Sequence, residues 1–404
     1  MNFVFISPNY PENYWLFCRG LKKQGIKVLA IVDTPYSNLN PNLIKNIDDC
    51  YVVPSFHNYS DMLKACGFFT YKYGKIDWIE SNNEAWLDLD AKLREDFNVT
   101  TGFSYSQIKE FQSKTAMKKY YKQANIPTAR YKQLFSLQDA FDFANNIGYP
   151  LVLKPDQGVG ANNTYTIHNE KELQDYYDAT KEKKMILEEY IHGDIFTLDG
   201  ICDRNGTIQY LNSLEYIGNC MDTVTKKTSI GAFTATKISE ANRQMIQNLI
   251  DAFHLKSRFF HCEFFRLKED HPNIGKKGTP VGLEINFRPP GGFIPDLMNY
   301  SSDIDVYNIW AELLIKNYTT YPKTTKKYAC FAGRRDSIHY KYSINDLKTI
   351  FNDAIIEIKK MPYVFSVAMG NEIILARFTT VKEKNHFYKI AFETKKKEYN
   401  DKKI

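Results

Sequence analysis

Apolar and polar positions alternate in a regular order over the first hundred residues. Short apolar runs are separated by longer stretches in which apolar residues recur every three or four positions. The order of strand, helix and strand predicts a parallel sheet with right-handed crossovers, whose ligand site lies at the carboxyl ends of the strands. The predicted strands are Phe3 to Ser7, Lys27 to Asp33, Tyr51 to Pro54 and Ile76 to Glu80, and the predicted helices are Tyr14 to Lys23, Asp61 to Tyr73 and Glu84 to Phe97.

Polar residues stand at the ends of these strands. Ser7 to Tyr10 follow the first strand, and Glu80 to Glu84 follow the fourth. Glu84 has two interpretations, as an acid that faces a ligand or as a first-turn acid favoured by the helix dipole. The motif Gly-x-Gly-x-x-Gly does not follow the first strand, so a dinucleotide is not indicated.

The pattern changes from Ser106 onward. Two helices come first, and short strands then alternate with a polar loop and one further helix. The segment Met185 to Asp194 is an apolar strand that meets two acids and a glycine, as a linker between two lobes would. The other predicted elements are the helices Ser106 to Gln123, Leu137 to Ile147 and Lys171 to Thr180, the strands Pro150 to Pro155 and Thr164 to Ile167, and the loop Asp156 to Asn163.

Two acidic strands carry the strongest chemical signal. In Val281 to Gly292 the alternation puts Glu284, Asn286 and Arg288 on one face. The strand Phe259 to Phe265 contains Glu263 among apolar residues, and an antiparallel pair would bring Glu263 close to Glu284. Two carboxylates about 4 Å apart repel by about 1 kcal/mol in water and about 4 kcal/mol at an effective dielectric near 20.

A hard cation such as Mg²⁺ between these oxygen ligands would remove the repulsion. The alternative is a surface hairpin whose acids face solvent, which the apolar residues around Glu263 disfavour. His261 alternates with Glu263 and shares its face, so it either touches a substrate or is a hydrogen-bonded neighbour.

Lys154 lies inside an apolar strand, where a charge is costly unless a partner meets it. The residues directly after it are small, and they let the backbone approach a ligand and aim N–H groups at phosphate oxygens. Two glycines alone are a weak phosphate signal, and a Walker loop is absent from the whole sequence.

The C-terminal region predicts a small α+β unit. Tyr328 to Phe331 and Phe365 to Phe378 are predicted strands, and Asn345 to Lys360 is a predicted helix between them. Arg334 and Arg335, with His339, form a polar cluster that would either grip an acidic substrate or lie in a surface turn.

Composition narrows the class of protein. The 404 residues suggest two to four domains, and 43% apolar with 25% charged residues is typical of a globular chain. Seven scattered cysteines without CxxC spacing favour reduced thiols and a cytoplasmic location. The net charge of +6 comes partly from a C-terminal lysine run, so neither a nucleic-acid partner nor a membrane partner is expected.

In this order and spacing, the motifs resemble the ATP-grasp superfamily, in particular its carboxylate–amine ligases and the biotin carboxylase and carbamoyl-phosphate synthase branch. The resemblance covers residues 1 to about 320. It implies a multidomain α/β and α+β protein with the ATP-grasp fold and an N-terminal Rossmann-like (preATP-grasp) domain with a parallel sheet. The implied domains are residues 1–105 (the Rossmann-like domain), 106–195 (the lid region) and 196–404 (the large metal-binding lobe with a C-terminal α+β extension).

The resemblance also assigns roles to individual residues. Lys114 and Lys154 match the two nucleotide lysines, and Asp156 to Asn163 match the mobile phosphate loop, although family members often have serine where this chain has Gln157 and Val159. Asp194 lies near the position of the family's ribose-binding acid. The residues implied for the nucleotide are Lys114, Lys154, Gly158, Val159, Gly160, Ala161, Glu188, Glu189, Tyr190, Ile191 and Asp194. The residues implied for metal are Glu263, Glu284 and Asn286, and those implied for catalysis are Arg288 and Lys154.

The implied function is ATP-dependent ligation. The implied metal is Mg²⁺, with two ions in the site, and Mn²⁺ could take its place. The ligase would activate a carboxylate as an acyl phosphate for attack by an amine, as in amino-acid or dipeptide conjugation. The implied partners are small-molecule carboxylates and amines, with a homodimer as one option. Two alternatives stay open: a biotin-carboxylase-like enzyme that activates bicarbonate, and a non-catalytic ATP-binding regulatory module.

Overall fold

The computed structural model describes residues 1–158, 163–180, 183–218, 227–321, 324–361, 366–367 and 369–395. Three sheets organise this part of the chain, with four, four and eight strands. No helix in these ranges is both long and apolar enough to cross a lipid bilayer.

The first sheet is parallel and has the strand order β3-β2-β1-β4. This pairing confirms the predicted parallel sheet. Apolar side chains fill both of its faces, as is usual for a parallel sheet. The strands are β1 (Asn2–Ile6), β2 (Lys27–Val32), β3 (Asp49–Val52) and β4 (Trp78–Glu80), and the helices are α1 (Trp15–Lys23), α2 (Pro41–Ile44), α3 (Tyr59–Tyr73) and α4 (Leu87–Asp96). A short 3₁₀ helix, Glu84–Trp86, follows β4.

The second sheet is antiparallel, with the order β5-β8-β6-β7. Two helices cover it and bury Ala140 and Leu173 against Leu151 and Leu187. The elements are β5 (Tyr131–Gln133), α7 (Leu137–Ile147), β6 (Leu151–Pro155), β7 (Tyr165–Ile167), α8 (Glu170–Thr180) and β8 (Met185–Glu189).

The third sheet is antiparallel, with the order β13-β12-β9-β10-β11-β14-β16-β15. Three of its central strands, β9 to β11, have no counterpart in the sequence predictions. The strands are β9 (Gly193–Cys202), β10 (Ile208–Ile217), β11 (Ile230–Thr234), β12 (Arg258–Leu267), β13 (Pro280–Asn286), β14 (Tyr328–Arg334), β15 (Ile355–Lys360) and β16 (Glu372–Phe378). The helices around it are α9 (Glu240–Ala252), α10 (Ile294–Ser302), α11 (Val306–Lys316), α12 (Ile344–Ile350) and α13 (Val381–Phe392).

The prediction of one continuous helix from Ser106 to Gln123 is wrong. The chain forms two helices, α5 (Tyr105–Phe111) and α6 (Lys114–Gln123). The break lies at Ser113, whose side chain accepts a hydrogen bond from the backbone N–H of Ala116 and donates one to Asp156 Oδ2 at 2.7 Å. An N-cap serine accepts hydrogen bonds from the first N–H groups of a helix. Ser113 therefore starts the second helix, α6, at a point where the sequence pattern predicted that the first helix continues.

The predicted helix from Asn345 to Lys360 is also wrong in its second half. Residues 355–360 form β15, an edge strand paired with β16. Ile355, Ile356 and Ile358 are β-branched, and the edge of a large sheet offers them a pairing that the local pattern did not show. The predicted strand from Phe365 is likewise too long, because Ser366 and Met369 are helical and β16 begins at Glu372.

Helices α5 and α6 pack on the large sheet and the helix α9 behind it. Phe111 lies with its ring centroid 4.9 Å from that of Phe287, and Tyr120 stacks on Phe253 at 4.2 Å. These contacts join α5 and α6 to the large lobe. The three domains 1–105, 106–195 and 196–404 stay a prediction.

A buried ion network joins the first sheet to the third. Arg258 Nη1 donates to Glu80 Oε1 at 3.3 Å, and Arg94 Nη1 lies 3.6 Å from Glu80 Oε2. All three side chains are almost completely buried. Burial opposes ionisation of Glu80, but the two guanidinium groups outweigh it and lower its pKa. The network therefore holds the end of β4 against β12.

We expect Glu80→Gln to lower the free energy of unfolding by about 3–5 kcal/mol, because it removes the carboxylate with which two buried guanidinium groups pair. Urea denaturation followed by tryptophan fluorescence measures the change. The matched control is Glu110→Gln, which breaks the exposed pair with Lys119 and should cost less than about 1 kcal/mol. Equal effects of the two substitutions would contradict the stabilising role of the network.

Candidate functional site

Glu263 and Glu284 lie directly opposite each other on the antiparallel strands β12 and β13, and His261 lies opposite Asn286. The predicted pairing of the two acidic strands is therefore confirmed. Burial raises the pKa of Glu284, and the neighbouring Glu263 carboxylate adds to this effect while Lys114 opposes it. Burial also opposes ionisation of Glu263, but His261, Arg288 and Lys114 outweigh it and lower the pKa of Glu263 instead. The two facing carboxylates thus differ in their surroundings.

A cavity of about 740 Å³ opens between the second sheet and the strands β12 and β13. Twelve of the fifteen predicted site residues line it. They are Lys114, Lys154, Gly158, Glu188, Glu189, Tyr190, Ile191, Asp194, Glu263, Glu284, Asn286 and Arg288. The other three, Val159, Gly160 and Ala161, lie outside the described residues.

Three lysines approach this cavity or its wall. Lys154 Nζ lies 2.6 Å from Glu188 Oε2, and Lys118 Nζ lies 2.7 Å from Glu188 Oε1. Lys114 Nζ donates to the backbone carbonyl of Gly158 at 2.8 Å and lies 3.6 Å from Glu284 Oε2. Lys118 was missed from the sequence, although its spacing of four residues from Lys114 puts both side chains on one helix face.

The base of the loop after β6 is held by helix α6. Asp156 Oδ1 accepts a hydrogen bond from the backbone N–H of Thr115 at 2.8 Å, and the backbone N–H of Lys114 donates to the Asp156 carbonyl at 2.8 Å. This arrangement fixes Lys114 next to the start of the loop.

Glu188 and Glu189 point to opposite faces of β8. While Glu188 meets the two lysines, Glu189 accepts from Arg130 Nε at 2.9 Å and pairs with His271 Nε2 at 3.0 Å. Asp194 is exposed and pairs with Lys268 Nζ at 2.7 Å. In the segment from Glu188 to Ile191 (the hinge), Glu188 is thus the acid that faces Lys118 and Lys154.

Arg288 connects the first sheet to the acidic strands. Its Nε donates to Glu84 Oε2 at 3.1 Å, and its Nη1 donates to the backbone carbonyl of Pro289 at 2.9 Å. Glu84 lies in the first turn of its 3₁₀ helix. It does not line the 740 Å³ cavity, although its partner Arg288 does, so a contact of Glu84 with a ligand stays a prediction.

His261 is a hydrogen-bonded neighbour of Glu263. Its Nδ1 lies 2.5 Å from Asp199 Oδ1, and its Nε2 lies 3.2 Å from Glu263 Oε1. Burial works against protonation of the ring, but Asp199 and Glu263 outweigh it and raise the pKa of His261 to about 9. Asp199, which is fully buried on β9, was missed because that strand was missed.

The polar cluster of the C-terminal region is structural. Arg334 donates to the carbonyls of Ala391 and Tyr342, and Arg335 donates to the carbonyl of Thr228 at 3.1 Å. Both arginines are buried, so they offer no surface grip for a substrate. The surface turn is confirmed for the residues that follow, because Asp336 and Ser337 form an exposed turn and His339 is exposed.

The donor set fits a hard cation. Within the described ranges, no group of three or more His, Cys, Asp or Glu side chains could hold a metal ion. The predicted metal ligands include two carboxylates, Glu263 and Glu284, and the third ligand is the amide of Asn286. The side chain of Asn286 has no hydrogen-bond partner among the described residues. Two carboxylates that repel each other and one neutral oxygen are ligands suited to Mg²⁺. Glu263, Glu284 and Asn286 are the residues that would hold it.

A protein-family comparison agrees with this geometry. Residues 147–276 match the model of an ATP-grasp domain. This part of the chain therefore carries an ATP-grasp domain. This match includes Lys154, the hinge from Glu188 and the strand that carries Glu263.

Curated proteins similar to this chain include an L-amino acid ligase and carbamoyl phosphate synthases. It is 22% identical to the L-arginine-specific L-amino acid ligase of Bacillus subtilis over 70% of this chain and 69% of the relative. It is 24% identical to the carbamoyl phosphate synthase large chain of Thermoanaerobacter pseudethanolicus over 44% of this chain. The matched stretch spans only 17% of that synthase.

Solved structures show the same fold. The L-amino acid ligase of Bacillus licheniformis has a TM-score of 0.72 at 16% identity, covering 96% of both chains. The biotin carboxylase domain of the Hydrogenobacter thermophilus 2-oxoglutarate carboxylase, solved with MgADP, ADP and bicarbonate, has a TM-score of 0.63 at 16% identity. That match covers 92% of this chain and 85% of the other.

Proposed function

We propose that the protein is an ATP-dependent carboxylate–amine ligase that joins an amino acid or a related carboxylate to an amine. The observation that carries the proposal is one cavity whose lining includes the two facing carboxylates, the amide of Asn286, Lys114, Lys154 and Arg288. Transfer of a phosphoryl group needs alignment and charge neutralisation more than covalent help from the protein.

Each group has a role in this proposal. ATP supplies the phosphoryl group, and Mg²⁺, in two copies or replaced by Mn²⁺, supplies positive charge beside the phosphates. Lys114 and Lys154 neutralise phosphate oxygens, and the backbone of the hinge from Glu188 to Ile191 holds the base. Asp194, which pairs with Lys268 here, is the proposed ribose contact.

The proposed reaction has two displacements. A carboxylate oxygen of the substrate attacks the γ-phosphorus, the bond to the bridging oxygen breaks, and ADP leaves. The amine nitrogen then attacks the acyl carbon and loses a proton, and phosphate leaves. Arg288 can hold the reacting carboxylate with two parallel hydrogen bonds, because its guanidinium is planar and is anchored next to Pro289.

The relatives guide the choice of substrates. The L-arginine-specific ligase covers most of this chain, so amino acids are the first class to test. The likeness to a biotin carboxylase domain bound to bicarbonate keeps the bicarbonate-activating enzyme as the second candidate. A cytoplasmic location and a homodimer stay predictions.

We expect phosphate release from ATP only when a carboxylate and an amine are both present. The measurement is a screen of the purified protein against pairs of amino acids and amines, with the products identified by mass. Phosphate release with bicarbonate alone would favour the bicarbonate-activating enzyme. ADP binding without phosphate release from any pair would favour the regulatory module.

A further inference from the structure

Lys118, Glu188 and Lys154 form a cluster of three buried charges. Each oxygen of the Glu188 carboxylate has its own lysine, with Lys118 Nζ at 2.7 Å and Lys154 Nζ at 2.6 Å. Each of the three residues is at most 7% exposed. The cluster carries a net charge of +1, so it has one cation more than Glu188 requires.

The two lysines differ in their surroundings. Lys154 lines the 740 Å³ cavity, whereas Lys118 does not. Lys118 is enclosed by the ring of Tyr131 at 4.9 Å and by the carbonyl of Ala129, which accepts from its Nζ at 3.4 Å. Lys154 can therefore turn toward a ligand in the cavity, while Lys118 stays with Glu188.

We propose that Lys118 is a positioning residue for nucleotide binding, which holds Glu188 so that Lys154 can leave Glu188 for the phosphates. The inference rests on the proposed binding of ATP in this cavity. If Lys118 were neutral, Lys154 would be the nearest cation to Glu188. Its departure would then leave a buried carboxylate without a countercharge, which is strongly unfavourable. Lys154 would stay with Glu188, and the phosphates would lose its charge.

The test compares a ligand that has phosphates with one that lacks them. Calorimetric titration of Lys118→Met with ADP and with adenosine measures both affinities. We expect the affinity for ADP to fall about tenfold or more, because a charge-assisted contact is lost, and the affinity for adenosine to change much less. The matched control is Lys122→Met, which removes an exposed lysine one turn further along α6 and should leave both affinities unchanged.

Two more variants separate positioning from a structural role. Lys118→Arg keeps the charge and should retain most of the ADP affinity. In Lys118→Met/Glu188→Gln the neutral amide no longer needs a cation, so the ADP affinity should recover relative to Lys118→Met. A structural role would not produce this recovery.

Three results would overturn the inference. They are unchanged ADP affinity in Lys118→Met, an equal loss for ADP and adenosine, and no recovery in the double variant. None of these would affect the proposed ligase as long as the wild-type protein binds ADP and releases phosphate. Failure of the wild-type protein itself to bind ADP would overturn both proposals.

Discussion

Glu284→Gln is expected to reduce turnover by about 10³-fold or more at ordinary Mg²⁺ concentrations, while ADP still binds without metal. The substitution keeps the shape of the side chain but removes a charge from the proposed Mg²⁺ ligands, and a hard cation needs anionic oxygen. Losing one group that stabilises a transition state costs about 10²–10³-fold, and here Lys114 also loses its carboxylate neighbour at 3.6 Å.

The same variant should fold as well as the wild-type protein. Burial raises the pKa of Glu284 and the facing Glu263 carboxylate adds to this effect, while Lys114 opposes it, so ionisation of Glu284 costs more here than in water. A neutral amide avoids that cost, and the thermal midpoint without Mg²⁺ should not fall.

The matched control is Glu269→Gln, an exposed carboxylate that pairs with His192 outside the cavity. It should keep wild-type turnover. The measurements are phosphate release over a range of Mg²⁺ concentrations and thermal melting in EDTA. Wild-type turnover in Glu284→Gln, or turnover of the wild-type protein that persists in EDTA, would remove the metal from the proposal.

Arg288→Lys is expected to bind Mg-ATP nearly as well as the wild-type protein and to lose about 10²-fold or more in turnover at saturation. Lysine keeps the charge but cannot reproduce the two parallel hydrogen bonds of a guanidinium to a carboxylate. The expected loss is that seen when one donor to a transition state is removed.

A purely structural role for Arg288 makes a different prediction. Arg288 donates to Glu84 across 204 residues of sequence, and this contact joins the first sheet to β13. If that link were its whole function, Arg288→Lys and Glu84→Gln would lower the thermal midpoint by similar amounts, and turnover at saturation would survive. Measuring nucleotide affinity, saturated turnover and melting for both variants decides between the two roles.

The local sequence pattern predicted the structure correctly where the alternation of residues shows which face of a strand is buried. The antiparallel pairing of Glu263 with Glu284 could be predicted because the alternation of apolar and polar residues is visible within each strand. Pattern failed at Ser113 and at residues 355–360. In the first case a side chain starts a new helix, and in the second the edge of a distant sheet recruits the segment as a strand.

The sequence by itself determined the parallel first sheet, the two acidic strands, the order of the lysine and hinge motifs, and hence the resemblance to the ATP-grasp superfamily. These features depend on the spacing of neighbouring residues along the chain. The tertiary structure alone decided the partners of the charged groups, such as Lys118 with Glu188, Arg288 with Glu84 and Arg258 with Glu80. Arg258 and Glu80 are 178 residues apart, and no local period connects them. Burial decided these pairs, because a charge removed from water must find a countercharge wherever the packing brings one close.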